Sequence, residues 1–462
     1  MRIRKIKIII SVMMLLLAVR LSYIVLVNGG QYKKEAEKQQ TVVVSADVER
    51  QYIYDRKMRI AAGGSDRYSG GILRHVIGYT WDGGASGIEK VFNDDLISEN
   101  PGLVTALKDA AGNEVQRFYK KGESSYSGIK LTIDCNIQRA AENVLDSENV
   151  TGAAIVVDAK TGGILAMASR PDFDPDNIQK YLDSKNGELL NRAICRYNPG
   201  SVFKIITAAA ALETGFSDEF TFECTGKTDI DGLDFVCSKA DGHGKITFTQ
   251  GFAYSCNCLF YTLGEQTGYD SIREYARRFG LGEKVLRING FDEFKGNIPS
   301  AGGMTSRALA NISIGQGEVL ATPLQIADVL CTVANGGVRR QLSLIGGIVD
   351  ENGVCTDIKP SEIGRVISAD TARHLQQMLR ETVMYGTGRN AEIPSAPAAG
   401  KTATAETGWE KDGKLLTHGW FAGYFPYYDP KYVCVVFSEG GSYGSVSAAP
   451  VFAKIGEKIL DI

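Results

Sequence analysis

The spacing of five short apolar segments constrains the fold of this chain more than any other feature. Two of them, 153–157 and 164–168, are joined by a stretch rich in Gly and Asp, which predicts a β-hairpin. The other three, 399–405, 419–425 and 432–437, lie near the C-terminus. About 200 residues of mostly helical pattern separate the two groups. This order predicts one antiparallel sheet with helices packed on its faces.

Several segments carry the helical pattern. Within the long stretch between the strands, the apolar spacing predicts helices over 269–279, 323–334 and 370–384, and the chain ends in an amphipathic helix over 449–460.

The N-terminal end predicts a membrane helix. Four basic residues precede the apolar run 8–27, namely Arg2, Arg4, Lys5 and Lys7. A run of about twenty residues spans roughly 30 Å, the thickness of a bilayer core. The positive flank places the short N-terminus in the cytoplasm and everything after about residue 28 outside. A cleaved signal peptide is the alternative, which the length of the run and the lack of an A-x-A site disfavour.

Charge and cysteine content exclude other classes of function. The 51 Lys and Arg residues nearly balance 54 Asp and Glu residues, so a nucleic-acid-binding protein is not indicated. With four histidines and no C-x-x-C pair, we expect no metal site. Cys224 and Cys237 flank a Gly- and Asp-rich loop and could form a disulfide, with buried free thiols as the alternative. His243 is expected to be a hydrogen-bonding loop residue. His418 precedes a strand near the cleft, with contact to the substrate as the less favoured alternative.

One serine and one lysine lie where a helix should begin. Pro199 and Gly200 interrupt the preceding structure, and an alanine-rich segment continues the helix until Gly215. Ser201 and Lys204 are three residues apart and therefore share a helix face. An amine of lowered pKa can take the proton of a serine hydroxyl and make it a nucleophile. Taken alone, the pair favours an ordinary helix start with an exposed lysine.

Two further motifs follow in the chain. Ser255 and Asn257 precede an apolar helical run, and a serine and an asparagine at this spacing can both point into a cleft. Lys401 and Thr402 begin a Lys-Thr-Ala-Thr run on a predicted strand, where they can bind a substrate carboxylate by charge and hydroxyl. Each motif alone is common, but the ordered trio is much less expected by chance.

In this order the three motifs resemble those of class B penicillin-binding proteins, the single-pass transpeptidases of bacterial cell-wall synthesis. The resemblance covers nearly the whole chain. Further segments that carry it are 50–56, 87–96, 154–175, 191–193, 197–204, 315–317, 322–325 and 386–388.

The resemblance implies an α+β fold with a transpeptidase domain like that of penicillin-binding proteins and serine β-lactamases. This domain has an antiparallel five-stranded sheet with helices on both faces and a helical subdomain. The implied domains are a cytoplasmic tail over 1–7, a transmembrane anchor over 8–27, a small irregular pedestal of the dimerisation type over 28–128, and the transpeptidase domain over 129–462.

The resemblance also implies a function. The chain is expected to be a D,D-transpeptidase that cross-links peptidoglycan stem peptides ending in D-Ala-D-Ala and is acylated by β-lactam antibiotics, without a metal or organic cofactor. About 100 residues separate the anchor from the transpeptidase domain, so a membrane glycan polymerase is the implied partner.

Site roles follow from the same resemblance. Ser201 is the nucleophile, Lys204 its base and Ser255 a proton relay. Asn257 orients Lys204 and the substrate amide, and the N–H groups of Ser201 and Thr404 form the oxyanion hole. The expected substrate-binding residues are Lys401, Thr402, Ala403 and Thr404.

One departure from the family pattern bears on activity. Ala403 stands where the third motif normally has glycine, and its methyl group could narrow the cleft, alter β-lactam affinity or be absorbed by a small shift. A catalytically weak scaffold protein is therefore one alternative. A β-lactamase is the other, but the nearest match to the deacylating glutamate of class A enzymes, Glu188, precedes the nucleophile.

Overall fold

The structure is a computed structural model that describes most of the chain. The described residues are 2–45, 50–63, 67–68, 70–81, 83–96, 103–108, 114–120, 126–350, 352–411 and 413–462. They form two compact units, one of residues 1–51 and 97–126 and the other of residues 52–96 and 127–462. The predicted pedestal, 28–128, contributes to both units, and parts of it, such as 121–125, lie outside the described residues. The predicted domain limits stay a prediction.

The helices are α1 Arg2–Leu26, α2 Gly29–Gln40, α3 Arg74–Ile77, α4 Gly87–Val91, α5 Asn93–Leu96, α6 Cys135–Ser147, α7 Gln179–Leu182, α8 Lys204–Glu213, α9 Phe248–Ala253, α10 Asn257–Thr267, α11 Tyr269–Arg278, α12 Ser306–Ser313, α13 Pro323–Ala334, α14 Ala369–Met384, α15 Gly444–Ser447 and α16 Ala449–Leu460.

The strands are β1 Thr41–Ser45, β2 Tyr52–Tyr54, β3 Ile60–Ala62, β4 Thr80–Trp81, β5 Gly84–Ala85, β6 Leu103–Lys108, β7 Glu114–Lys120, β8 Tyr126–Leu131, β9 Gly152–Asp158, β10 Ile164–Arg170, β11 Thr221–Cys224, β12 Lys227–Ile230, β13 Leu233–Val236, β14 Gly244–Thr247, β15 Val338–Arg340, β16 Ile345–Asp350, β17 Cys355–Asp357, β18 Glu362–Arg365, β19 Ala399–Lys411, β20 Lys414–Phe425 and β21 Tyr432–Ser438.

The first unit contains α1, α2 and a three-stranded antiparallel sheet in the order β1-β6-β7. Within α1, the segment Ile3–Leu26 contains an 18-residue window with a mean hydropathy of 2.4, and none of that window is buried. At 1.5 Å per residue the segment is long enough to cross a bilayer core. The predicted apolar helix is therefore present, and it begins several residues before position 8.

The second unit is built on a five-stranded antiparallel sheet in the order β10-β9-β21-β20-β19. All five predicted strands are present, and the predicted hairpin is β9–β10. Because side chains alternate along a strand, Ile155 and Val157 face one core with α8 and α13, whereas Ala154 and Val156 face a second core with α6 and α16. The predicted sheet with helices on both faces is confirmed.

The position of β19 in the sheet matters for function. It pairs with β20 on one side only, with Ala403 opposite Trp420, and is an edge strand of this sheet. A 3₁₀ turn, Gly200–Phe203, packs against β19 and leads into α8. This arrangement puts the beginning of α8 beside the sheet edge.

The expectation of a mostly helical segment between the two strand groups is wrong in part. Eight short strands, β11 to β18, lie there, and β16 and β17 belong to a second five-stranded sheet in the order β17-β16-β8-β2-β3. These strands are three to six residues long, too short for a clear period of two, and the pairing partners of several are distant in sequence. The four predicted helices appear as α11, α13, α14 and α16, each within one residue of its expected bounds.

Candidate active site

Ser201 lies in the 3₁₀ turn just before α8, half-buried at the wall of a cleft of about 1560 Å³. A main-chain hydrogen bond fixes this turn to the segment around Gly315, because the Gly200 N–H donates to the Gly315 carbonyl at 2.9 Å. A Cβ atom on Gly315 would lie 2.2 Å from the Gly200 carbonyl oxygen, so only glycine fits there. The Gly315-Gln316-Gly317 segment therefore supports the turn that presents Ser201.

Lys204 is fully buried one turn further along. Its ammonium donates to the Asn257 Oδ1 at 2.7 Å, to the Ser255 carbonyl at 2.9 Å and to the Ser255 Oγ at 3.3 Å. The first two motifs thus meet through this lysine. Within the described part of the chain, no hydrogen bond joins Lys204 to Ser201, and such contacts often form only once substrate is bound.

Burial lowers the pKa of Lys204 to about 8, because a charged amine is poorly solvated there. Negative charge on the nearby sulfurs, Cys256 first, acts in the opposite direction. The pKa of Lys401 lies well below its usual range, through burial and then through repulsion from Lys204.

The loop between α9 and α10 shapes the second motif. Ser255 has a φ of +57°, in the left-handed region that non-glycine residues seldom adopt. Both its carbonyl oxygen and its hydroxyl reach Lys204 as a result. The next residue, Cys256, caps α10, since its Sγ accepts from the Leu259 N–H at 3.5 Å. Asn257 is the first residue of that helix, so the cap fixes its position.

The third motif lies on β19. The Lys401 side chain is fully buried, donates to the Thr402 carbonyl at 3.2 Å and lies 5.7 Å from the centre of the Phe252 ring. The Thr402 hydroxyl is 2.6 Å from the hydroxyl of Thr387. Both threonines line the cleft, so the two hydroxyls form one polar patch beside Lys401. The sequence marked Thr387 only as part of a family segment and gave it no role.

The methyl group of Ala403 faces the turn before the nucleophile. Ala403 is 3% exposed, and a Cβ atom on Gly200 would lie 3.3 Å from the Ala403 Cβ. The methyl group therefore fills space that the missing side chain of Gly200 leaves open. Because Ala403 also lines the cleft, the same residue packs against this turn and borders the substrate space.

Thr404 presents its backbone to the cleft. Its carbonyl oxygen would lie 3.3 Å from a Cβ on Gly200, so it points away from β20. In an antiparallel strand the N–H and C=O of one residue point to the same side. The Thr404 N–H is therefore on the edge that faces Ser201, as an oxyanion donor requires. Its hydroxyl accepts from the Gly444 N–H at 3.2 Å.

Other cleft residues carried no signal in the sequence. Asn311 and Tyr443 line the cleft although they are distant in sequence from the motifs, and Glu406 lines it two residues after Thr404 on β19.

His418 is not among the described residues that line the cleft. Its Nδ1 accepts from the Gly440 N–H at 3.1 Å, and its ring packs on Tyr197. The adjacent residue Thr417 lines the cleft, so His418 lies next to it, and contact of His418 with the substrate stays a prediction.

Comparison with known proteins places this geometry in a family. The family model described as the penicillin binding protein transpeptidase domain matches residues 152–457. Among curated proteins, the chain is similar to stage V sporulation protein D of Bacillus subtilis, with 33% identity over 410 residues. That alignment covers 84% of this chain and 62% of the relative, so the chain spans less than two thirds of the length of that protein.

Solved structures agree. Penicillin-binding protein 3 from Mycobacterium tuberculosis, complexed with aztreonam, is similar with a TM-score of 0.74 and 28% identity, over 91% of this chain and 96% of that one. A structure described as showing coordination of polymerization and crosslinking by a peptidoglycan synthase complex is similar with a TM-score of 0.76 and 26% identity, over 100% of this chain and 98% of that one.

Proposed function

This chain belongs to the class B penicillin-binding proteins, and we propose that it is a peptidoglycan D,D-transpeptidase that acts through an acyl-enzyme on Ser201. The observation that carries the proposal is the hydrogen bonding of Lys204 to both Ser255 and Asn257 beside a cleft that Ser201 and Thr402 line. Residues of three motifs that are distant in sequence thus lie around one cleft, which supports acyl transfer as the reaction.

Acylation begins with the neutral form of Lys204. It takes the proton of the Ser201 hydroxyl as Oγ attacks the carbonyl carbon between the two D-alanines of a stem peptide. The negative charge on the carbonyl oxygen accepts hydrogen bonds from the N–H groups of Ser201 and Thr404, which are worth a few kcal/mol in such sites. The proton then passes through Ser255 to the leaving amine. The C–N bond breaks, D-alanine leaves, and an ester joins the peptide to Ser201.

The second half-reaction transfers the acyl group. An amine of a second stem peptide attacks the ester carbonyl and gives its proton, through Ser255, to Lys204. Lys204 returns a proton to Ser201 Oγ as the ester bond breaks, which leaves a new amide cross-link. A β-lactam takes the same first step, and its ester on Ser201 persists.

The third motif binds the terminal carboxylate of the substrate in this proposal. Thr402 and Thr387 offer two adjacent hydroxyls at the cleft wall, and Lys401 lies behind them. A carboxylate bound there raises the pKa of Lys401, because an opposite charge favours the charged amine. Substrate binding and protonation of Lys401 are therefore coupled.

Labelling with a fluorescent penicillin tests the proposal. We expect Ser201→Ala to abolish covalent labelling, whereas Ser442→Ala, at another serine that lines the same cleft, keeps it. Mass spectrometry of the labelled chain should locate the adduct on the peptide that contains Ser201. Labelling that persists in Ser201→Ala overturns the assignment. Very slow acylation of the unaltered chain supports a scaffold instead, and rapid turnover of nitrocefin supports a β-lactamase.

The membrane arrangement is part of the same proposal. Residues 1–7 lie in the cytoplasm, 8–27 cross the membrane, and the pedestal 28–128 and the transpeptidase domain 129–462 lie outside the cell membrane. The basic N-terminal flank supports this orientation. A membrane glycan polymerase is the proposed partner, since the similar peptidoglycan synthase structure couples the two reactions. Protease digestion of intact protoplasts should remove the transpeptidase domain, and protection of that domain contradicts the orientation.

A further inference from the structure

Four potential metal ligands meet beneath the second motif. They are Cys224 at the end of β11, Cys237 after β13, His243 before β14 and Cys256 at the cap of α10. Their ligand atoms all lie within 4.8 Å of one another. The three cysteines are buried and the histidine is half-buried. All nine cysteines of the chain lie within the described ranges and are free thiols, so the disulfide considered for Cys224 and Cys237 is not present and the alternative of buried free thiols holds for this pair.

The distances in this cluster fit a tetrahedral ion. Zinc binds cysteine sulfur at about 2.3 Å and histidine nitrogen at about 2.0–2.1 Å, so tetrahedral geometry separates two sulfurs by about 3.8 Å and a sulfur and a nitrogen by about 3.6 Å. Cys237 Sγ lies 3.8 Å from Cys256 Sγ and 3.6 Å from His243 Nδ1. A disulfide needs its sulfurs at about 2.0 Å. The cluster therefore has the dimensions of a metal site.

Glycines let two loops that carry cluster ligands pack closely against each other. Cβ atoms on Gly226 and Gly242 would lie 1.9 Å from the Ala240 carbonyl oxygen and 2.1 Å from the Cys224 carbonyl oxygen. These two glycines let the loop after Cys224 pack directly on the loop between Cys237 and His243. The Cys237 N–H also donates to the Gly226 carbonyl at 2.8 Å. The two loops hold their ligands in place through the main chain.

The remaining two ligands are fixed by other contacts. The His243 ring stacks on Tyr254 with an interplanar angle of 2°. Cys256 Sγ accepts from the Leu259 N–H, a bond that strengthens when the sulfur is a thiolate. Each ligand therefore has an orientation that the fold sets, as a metal site requires.

We propose that Cys224, Cys237, His243 and Cys256 bind one structural zinc ion. Three thiolates and one imidazole are a ligand set that zinc prefers, and four protein ligands leave no open position for catalysis. On binding, the three thiols release their protons, so the occupied site carries a net charge of about −1. No pattern in the sequence indicated this site, because the ligands come from separate segments that only the fold brings together.

The ion acts on the active site through Cys256. This residue lies between Ser255 and Asn257, the two residues that hold Lys204. A zinc ion bound to Cys256 fixes the loop between α9 and α10 and thereby positions both partners of the base. Cys256 is thus a positioning residue, and loss of zinc should loosen the second motif.

Metal analysis of the full chain in detergent, purified with a tag that lacks histidine, tests the site. We expect about one equivalent of zinc per chain after dialysis. Cys224→Ser and Cys256→Ser should lose it. Cys258→Ala, at a buried thiol beside Cys237, and Cys434→Ala, in the central sheet, should keep it. Zinc below about a tenth of an equivalent, zinc retained by both serine variants, or disulfides within the cluster overturn the proposal.

The unaltered chain provides a second measurement, which does not depend on whether variants fold. Exchange of zinc for cobalt(II) should give the visible absorption bands of tetrahedral cobalt together with thiolate charge-transfer bands. Removal of zinc by a chelator should lower both the melting temperature and the rate of acylation, and added zinc should restore them. Octahedral cobalt spectra overturn the site. If the chain binds zinc but is not acylated by a β-lactam, the result contradicts the transpeptidase proposal and leaves the zinc site supported.

Discussion

Replacing Asn257 with aspartate tests whether Lys204 is the base of the acylation step. Asn257 Oδ1 accepts from the Lys204 ammonium at 2.7 Å, and the lysine is fully buried. Asn257→Asp therefore puts a negative charge next to the amine with almost no change in shape. Two opposite charges about 4 Å apart attract by about 4 kcal/mol at an effective dielectric constant of 20, which is about 3 pKa units.

The pKa of Lys204 should then rise from about 8 to about 11. At pH 8, the neutral fraction of the amine falls from about one half to about one in a thousand, so acylation should slow by roughly 500-fold. The unaltered chain should acylate about fivefold faster at pH 8 than at pH 7 and approach a plateau above pH 9. The variant should show no plateau up to pH 10.

Stopped-flow measurement of acylation by a fluorescent penicillin, from pH 6 to pH 10, gives the midpoint of each profile. Asn311→Asp is the matched control, since Asn311 lines the same cleft and is not among the hydrogen-bond partners of Lys204 in the described part of the chain. Its midpoint should stay near 8. Asn257→Ala should slow the reaction without raising the midpoint. An unchanged midpoint in Asn257→Asp refutes the assignment of Lys204 as base.

Three further substitutions test the surroundings of the site. Ala403→Gly removes a buried methyl group from a strand, so it should lower the free energy of unfolding, measured by urea titration, by about 1–2 kcal/mol. The rate of acylation should change by less than about threefold, and a tenfold change contradicts the packing against Gly200. Thr387→Val removes the 2.6 Å hydroxyl contact to Thr402 and should slow acylation by about five- to tenfold, with no loss of melting temperature. Arg339→Met leaves the Asp328 carboxylate buried without its 2.7 Å ion pair. It should lower the free energy of unfolding by about 3–5 kcal/mol at pH 8. Burial already raises the pKa of Asp328 to about 6 with the ion pair present, and loss of Arg339 raises this pKa further. The loss of stability should therefore shrink as the pH falls from 8 towards 6, and equal losses at pH 8 and pH 5 contradict the account.

The sequence predicted the fold best where a pattern was long enough to read. The segment Pro323–Ala334 is a helix with the predicted bounds, because Thr322 and Gln325 form a capping box and a proline occupies the first turn. The five strands of the central sheet are seven to thirteen residues long and carry clear apolar runs. The strands between 221 and 365 were missed because each is short and its pairing depends on tertiary contacts.

The site was predictable to a similar extent. The order of three motifs indicated Ser201, Lys204, Ser255, Asn257, Lys401 and Thr402, and the fold brings these residues to one cleft or to its buried wall. The cysteine cluster was not predictable, because its ligands lie on three strand ends and a helix cap without a local spacing rule. Cys256 was visible only as the unassigned middle residue of the second motif. The role of a side chain between two motif residues became clear only from its contacts.

The burial of Lys204 links stability to activity. Its pKa in the folded chain is about 8, against an ordinary value of 10.5, so the unfolded chain binds more protons between these values. At 1.36 kcal/mol per unit, this difference destabilises the folded state by about 3 kcal/mol at every pH below about 8, and the penalty disappears as the pH rises to 10.5. The same difference raises the neutral fraction of the amine at pH 7 from about three in ten thousand to about one in ten.

Other contacts must offset the free energy that this buried base costs the folded state. The loop that carries Ser255 and Asn257 is where they are needed most, because Lys204 has all three of its hydrogen-bond acceptors there. A zinc ion on Cys256 would supply such a contact directly beside the base, in addition to the apolar packing of the core that contains Cys256.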